Sequence, residues 1–108
     1  MPRPKKPRFV SGYPMIGGFI PEGVTASGEV FLSVEGMEAI RLSDFEGLDQ
    51  DSAATMMEIS RQTYGRILSE ARSIVANTLV TGKALRIKGG MYEFRGQRGR
   101  RCRRRGGR

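Results

Sequence analysis

Ala54-Thr55-Met56-Met57-Glu58-Ile59-Ser60-Arg61-Gln62-Thr63-Tyr64-Gly65-Arg66-Ile67-Leu68 is the stretch whose reading decides the fold. Two short helices joined by a tight turn approach closely only where a small residue lies at their crossing, and Ala54 supplies one. Four residues on, Glu58 opens the turn, and Ile59 plugs the space between the helices. Tyr64 and Ile67 then pack the second helix back onto the first. A small residue, a turn residue and apolar anchors at offsets 0, +4, +5, +10 and +13 meet the needs of a helix-turn-helix. Ser60 stands at the N-cap of the second helix, expected over 60–80. Tyr64, Ile67, Leu68, Ala71, Ile74, Val75 and Leu79 keep to one of its faces, and Gly82 ends it.

Upstream, Ser33 is a good cap and Gly47 a good stop for a helix over 33–47, with Met37, Ile40, Leu42 and Phe45 at near-helical spacing. Gly36 inside it costs about 1 kcal/mol of helix propensity relative to Ala. A shorter helix over 49–57 starts near Asp49 or Gln50 and carries Ala53, Ala54 and Met57 on one side. Glu29 to Leu32 reads either as a short strand or as an extended lead-in. Residues 9–28 are punctuated by proline and glycine and read as irregular, with Phe9, Tyr13 and Phe19 as pins against the domain. Downstream, Ala84 to Lys88 alternates and stops at Gly89-Gly90, which suits a short strand. The expected fold is therefore mainly α: three helices, the last two a helix-turn-helix, with an irregular N-terminal segment and a short C-terminal strand. The organisation is a basic arm over 1–8, a folded domain over 9–92 and an Arg/Gly-rich tail over 93–108, expected to be disordered alone.

Charge points the same way. The chain of 108 residues has a formal net charge of +8, yet residues 9–94 hold only seven of the 19 basic residues and all 11 acids. The excess lies in the ends, with Arg3, Lys5, Lys6 and Arg8 in the arm and eight arginines in 95–108, among them Arg100, Arg101, Arg103 and Arg104. Within the middle, 33–58 holds seven acids and one Arg, whereas 61–88 holds six basic residues and one Glu. A polyanion-binding face is expected on the second stretch. There Ser60, Arg61, Gln62, Thr63 and Arg66 occupy the outward-facing start of the second helix, the end that meets base edges in this motif. Arg61 and Arg66 suit guanine edges or phosphates, Gln62 an adenine edge, and Thr63 a phosphate or a methyl group. The helix N-terminus at Ser60 adds a phosphate site.

Other chemistries find little support. No His and a lone Cys102 leave nothing for a zinc site, a disulfide framework or a Cys–His pair, so no metal, cofactor or catalytic residue is expected. Glu35, Glu38, Asp44 and Glu46 read as solvated helix surface rather than paired catalytic carboxylates. Nothing approaches the roughly 20 apolar residues of a membrane span, and no signal peptide is visible, so a cytoplasmic, nucleoid-associated protein is expected.

Several separated blocks carry a resemblance. Leu48 to Ala71, with the preceding helix, resembles the region-4 helix-turn-helix of sigma-70-type factors. More closely, Met1-Pro2-Arg3-Pro4-Lys5-Lys6, Glu38 to Leu42, Ser60 to Leu68 and Asn77 to Gly90 resemble an uncharacterised prokaryotic family of predicted DNA-binding proteins. The resemblance covers roughly residues 1–92. It implies a transcriptional regulator that binds double-stranded DNA sequence-specifically, and the likeness to region 4 adds transcription machinery as a partner. A homodimer is a further expectation because one module reads only a short site. The resemblance also implies an acid where Gly36 stands and a Gly where Glu58 stands, at a turn position that needs positive φ. Relatives often have cysteine in the opening stretch, where this chain reads Pro7-Arg8-Phe9, so no metal or redox role carries over. Two other readings remain open from the residues. One is RNA binding through the Arg/Gly tail. The other is a protein–protein module docking through the acidic Glu35–Glu58 surface.

Overall fold

The computed structural model describes residues 7–12, 14–90 and 92–94. Along the chain run β1 (Arg8–Val10), β2 (Gly18–Phe19), β3 (Glu29–Leu32) and α1 (Val34–Ile40), which continues into a π-helical turn, Arg41–Phe45. Then follow α2 (Gln50–Met57), α3 (Arg61–Thr81), β4 (Ala84–Ile87) and β5 (Tyr92–Phe94). The domain is mainly helical, as expected, with a small sheet beside the helices.

Helix boundaries follow local chemistry. Ser33, in extended conformation, accepts the Gly36 N–H at 3.0 Å and starts α1. Asp49 accepts the Ser52 N–H at 2.7 Å and starts α2, and that hydrogen bond holds its carboxyl below the usual aspartate range. Gly47 and Gly82, with φ of 79° and 73°, end the first and last helical runs in the left-handed region that glycine adopts without steric cost. The helix expected over 33–47 is α-helical only to Ile40. Beyond it the turn widens, with Glu46 donating to the Arg41 carbonyl at 2.8 Å. Leu42 thereby stays in the core, while Phe45, expected on the apolar face, is 81% exposed.

The N-terminal stretch is less irregular than its sequence suggests. The strand reading of Glu29 to Leu32 holds. β3 pairs in parallel with β4, from Glu29 opposite Ala84 to Leu32 opposite Ile87, and β2 adds antiparallel to the other side of β4. A parallel pair needs a long crossover, and α1 to α3 supply it. β1 pairs in parallel with β5, from Arg8 opposite Tyr92 to Val10 opposite Phe94. These strands of two to four residues carry too little alternation to be read locally; pairing partners more than 50 residues away define them. Arg8 therefore belongs to the domain and not to the arm, and it is buried. Likewise Glu93 and Phe94 are strand residues rather than the start of the tail.

Two clusters fill the interior. The larger joins Val10, Val34, Leu42, Ala54, Met57, Tyr64 and Leu68, and the smaller joins Leu32, Ala71, Leu85 and Ile87 beneath the sheet. Gly36 lies buried where α1 meets α3. A β-carbon there would come within 3.0 Å of Leu32 Cδ1 and 3.4 Å of Ala71 Cβ, so the lost helix propensity is exchanged for close helix packing. The apolar stripe of α3 is narrower than its periodicity indicates. Tyr64, Leu68 and Ala71 are buried, Ile67, Ile74 and Val75 are half-buried, and Leu79 is 78% exposed because α3 runs past the core at its C-terminal end. Phe9 is half-buried, Phe19 is 54% exposed, and Tyr13 lies outside the described residues.

Candidate nucleic-acid interface

The turn between α2 and α3 is built by the backbone. Ile59 N–H donates to the Ala54 carbonyl and Glu58 N–H to the Thr55 carbonyl, both at 3.1 Å, which is the paired closure of a Schellman motif. That closure requires a left-handed residue, and Glu58 takes it with φ 57° and ψ 46°. Ala54 is buried at the crossing and Ile59 is half-buried over it. Ser60 then caps α3. Its hydroxyl accepts the Thr63 N–H and donates to Thr63 Oγ1, both at 3.0 Å. Three residues, Glu58 to Ser60, thus join the two helices and fix where the second begins.

The register of α3 follows from its buried face. Tyr64 is fully buried, and its hydroxyl donates to the Ala39 carbonyl at 2.8 Å while sharing a hydrogen bond with Ser43. Burial raises the phenol pKa above its ordinary value. With Tyr64, Leu68 and Ala71 inward, Ser60, Arg61, Gln62 and Arg66 are exposed together. Thr63 is half-buried and tied into the cap, which leaves Arg61, Gln62 and Arg66 as the outward side chains of the first two turns. Arg61 sits 3.7 Å from Asp51, both well exposed, a pair too long and too solvated to hold the guanidinium. Arg66 takes part in no ion pair among the described residues. Glu70, one turn further along, is an exposed acid beside it.

Beside this face lies a cleft of about 260 Å³ between α3 and β3, with Arg66, Ile67 and Glu70 on one wall and Phe31 on the other. The Lys88 ammonium stands 5.2 Å from the Phe31 ring centre. Sequence reading placed Lys88 only within the basic stretch 61–88; the β3–β4 pairing is what brings it near Phe31. Arg86, also exposed, is held by Glu29 at 3.0 Å.

Two carboxylates correct the picture of an exposed acidic helix. Glu35 and Glu38 are 9% and 7% exposed, because β1 and the 89–90 turn cover that side of α1. Glu38 receives Ser11 and the Arg41 guanidinium, with bonds of 2.9 Å to each of its oxygens from Arg41. The acidic residues that stay exposed are Asp44, Glu46, Asp49, Asp51 and Glu58, with Glu46 paired to Arg41 at 3.0 Å. Of these Asp44 is taken by Arg72 at 2.7 Å, which holds its carboxyl below the usual range. Arg3, Lys5, Lys6, Arg100, Arg101, Cys102, Arg103 and Arg104 lie outside the described residues. Among the described residues no cluster of His, Cys, Asp and Glu is fit to hold a metal, and no helix is long and apolar enough to cross a membrane.

A family model described as "Protein of unknown function DUF134" matches residues 1–95. The chain is 51% identical over 110 residues to a UPF0251 protein of Thermoanaerobacter sp. (strain X514), covering 95% of this chain and 97% of that protein. It is 48% identical over 99 residues to a UPF0251 protein of Caldanaerobacter subterraneus subsp. tengcongensis, covering 90% and 84% respectively. No solved structure matches the chain.

Proposed function

The chain belongs to the DUF134 family of proteins of unknown function, and from its geometry we propose that it binds double-stranded DNA sequence-specifically through α2 and α3 as a helix-turn-helix. One observation carries this reading. The left-handed Glu58 turn and the Ser60 cap set α3 so that Tyr64, Leu68 and Ala71 point inward while Arg61, Gln62 and Arg66 stand exposed on its first two turns. An α-helix fits the major groove, and the N-terminal residues of the second helix of such a pair reach base edges. Gln62 and Arg66, four apart, lie on one side of the helix and form the base-reading pair. Arg61 exchanges its weak contact with Asp51 for a phosphate or a guanine edge. Lys88 supplies a flanking cation across the cleft.

The basic ends act on phosphates and carry no sequence information of their own. Together these parts describe a transcriptional regulator resembling sigma-70 region 4 in its reading helices. Docking on transcription machinery through the acidic side loses two of its anchors, Glu35 and Glu38, to the interior.

Selection of duplexes from a random pool at physiological salt tests the proposal. Enrichment of a defined motif is expected. Uniform, salt-sensitive retention of all duplexes would leave only a polycation and contradict it.

A further inference from the structure

The smaller core cluster is incompletely filled. Met37, Ile40 and Val75 border it without being fully buried, and a cavity of about 400 Å³ opens there between α1, β4 and the C-terminal half of α3. Phe19, Ile20 and Leu79 stand at its mouth, 54%, 81% and 78% exposed. The volume lies within the roughly 300–1,000 Å³ of small-molecule sites, and such sites are mostly apolar with a few placed polar groups. Here that polar group is Lys83. It is the one charged residue among the described residues lining the cavity. Its side chain is half-buried, its stem lies against Gly28, and it joins no ion pair among the described residues.

We propose that this cavity binds a small apolar monocarboxylate, such as a medium-chain fatty acid, with the carboxylate on Lys83 and the hydrocarbon in the trough. The charge selects the head group: the one half-buried ammonium pairs with a single negative charge, as a carboxylate carries at neutral pH, and that pairing offsets the cost of desolvating it. The shape selects the size of the occupant. A second copy of this chain is the competing occupant, and a standard interface needs roughly 800 Å² per partner in close contact. The site lies at the opposite end of α3 from Arg61, Gln62 and Arg66, so carboxylate binding does not depend on the DNA reading.

Calorimetric titration of the full chain with octanoate, octanol and octylamine holds the tail constant and changes only the head. Octanoate is expected to bind one molecule per chain, at least about tenfold more tightly than octylamine. Lys83→Gln should abolish that preference and leave octanol binding and the melting temperature unchanged. Leu79→Glu, at an exposed position on the mouth, should weaken octanoate about tenfold or more by repulsion. Absence of saturable octanoate binding, equal affinity for octanoate and octylamine, or a preference that survives Lys83→Gln would each overturn the proposal. So would sedimentation showing a stable dimer that Leu79→Glu splits, since a second copy would then occupy the face.

Discussion

Glu58 holds a left-handed conformation in which the β-carbon of an L residue crowds the following carbonyl, at a cost of about 1–2 kcal/mol. The Schellman closure of the α2–α3 turn requires that conformation, so the strain is kept. Glu58→Gly should therefore stabilise the domain by about 1 kcal/mol, read as a higher melting temperature with unchanged helical content. A lower melting temperature would show that the contacts of the Glu58 side chain outweigh the relief. Tyr64 makes a second residue-scale prediction. Its folded pKa is raised by burial, so its contribution to stability is complete below the unfolded phenol pKa of about 10 and is lost as pH rises through the folded value. Stability should fall above about pH 10, and Tyr64→Phe should blunt that fall. At neutral pH the same substitution should cost about 1–3 kcal/mol, because the buried Ala39 carbonyl loses its donor. An alkaline profile identical in both proteins would contradict this. Caps at Ser33 and Ser60 were legible in the sequence because each depends on a neighbour three residues away, while the start of α2 was legible only to within Asp49 or Gln50. The burial of Arg8, Glu35 and Glu38 was not, since it depends on strands brought from both ends of the chain.

At the scale of elements, α2, the turn and α3 were readable because small residue, turn residue and anchors recur at fixed offsets within one local unit. The outer parts were not. β1 and β2 have three and two residues, below any useful alternation, and exist through pairing with β5 and β4. The apolar period of α3 overstated its buried stripe, because periodicity reports which residues share a face but not where the rest of the domain stops. That distinction changes a mutational expectation. Leu68, 1% exposed, is the core anchor, and Leu68→Ala should destabilise by about 2–5 kcal/mol. Ile67 borders the cleft and should cost less when truncated. Gln62→Ala and Arg66→Ala, both exposed, should shift stability by no more than about 0.5 kcal/mol. Thermal melting of the four variants orders them. A large loss in either exposed variant would mean that the outward face of α3 is misassigned.

Over the whole molecule, charge is partitioned: the sequence middle is acidic on balance, and the cations concentrate at the two ends. The parallel pairing of β1 with β5 sets Arg8 beside Tyr92 and Val10 beside Phe94, so the two basic ends join the domain at opposite ends of one strand pair. Composition showed this partition; the attachment points needed the fold. Deleting residues 95–108 should weaken binding roughly equally across duplex sequences and flatten its salt dependence, since eight arginines neutralise phosphates without reading bases. Lost discrimination with unchanged affinity for random duplexes would instead make the tail a specificity element. Whether the first turns of α3 read DNA is decided by equilibrium binding of the parent chain, Gln62→Ala and Arg66→Ala to a selected site and to every single-base variant of it. Each substitution should erase about 1–3 kcal/mol of discrimination at its own base position and leave the other positions unchanged. Base preference unaltered in both folded variants would contradict the claim.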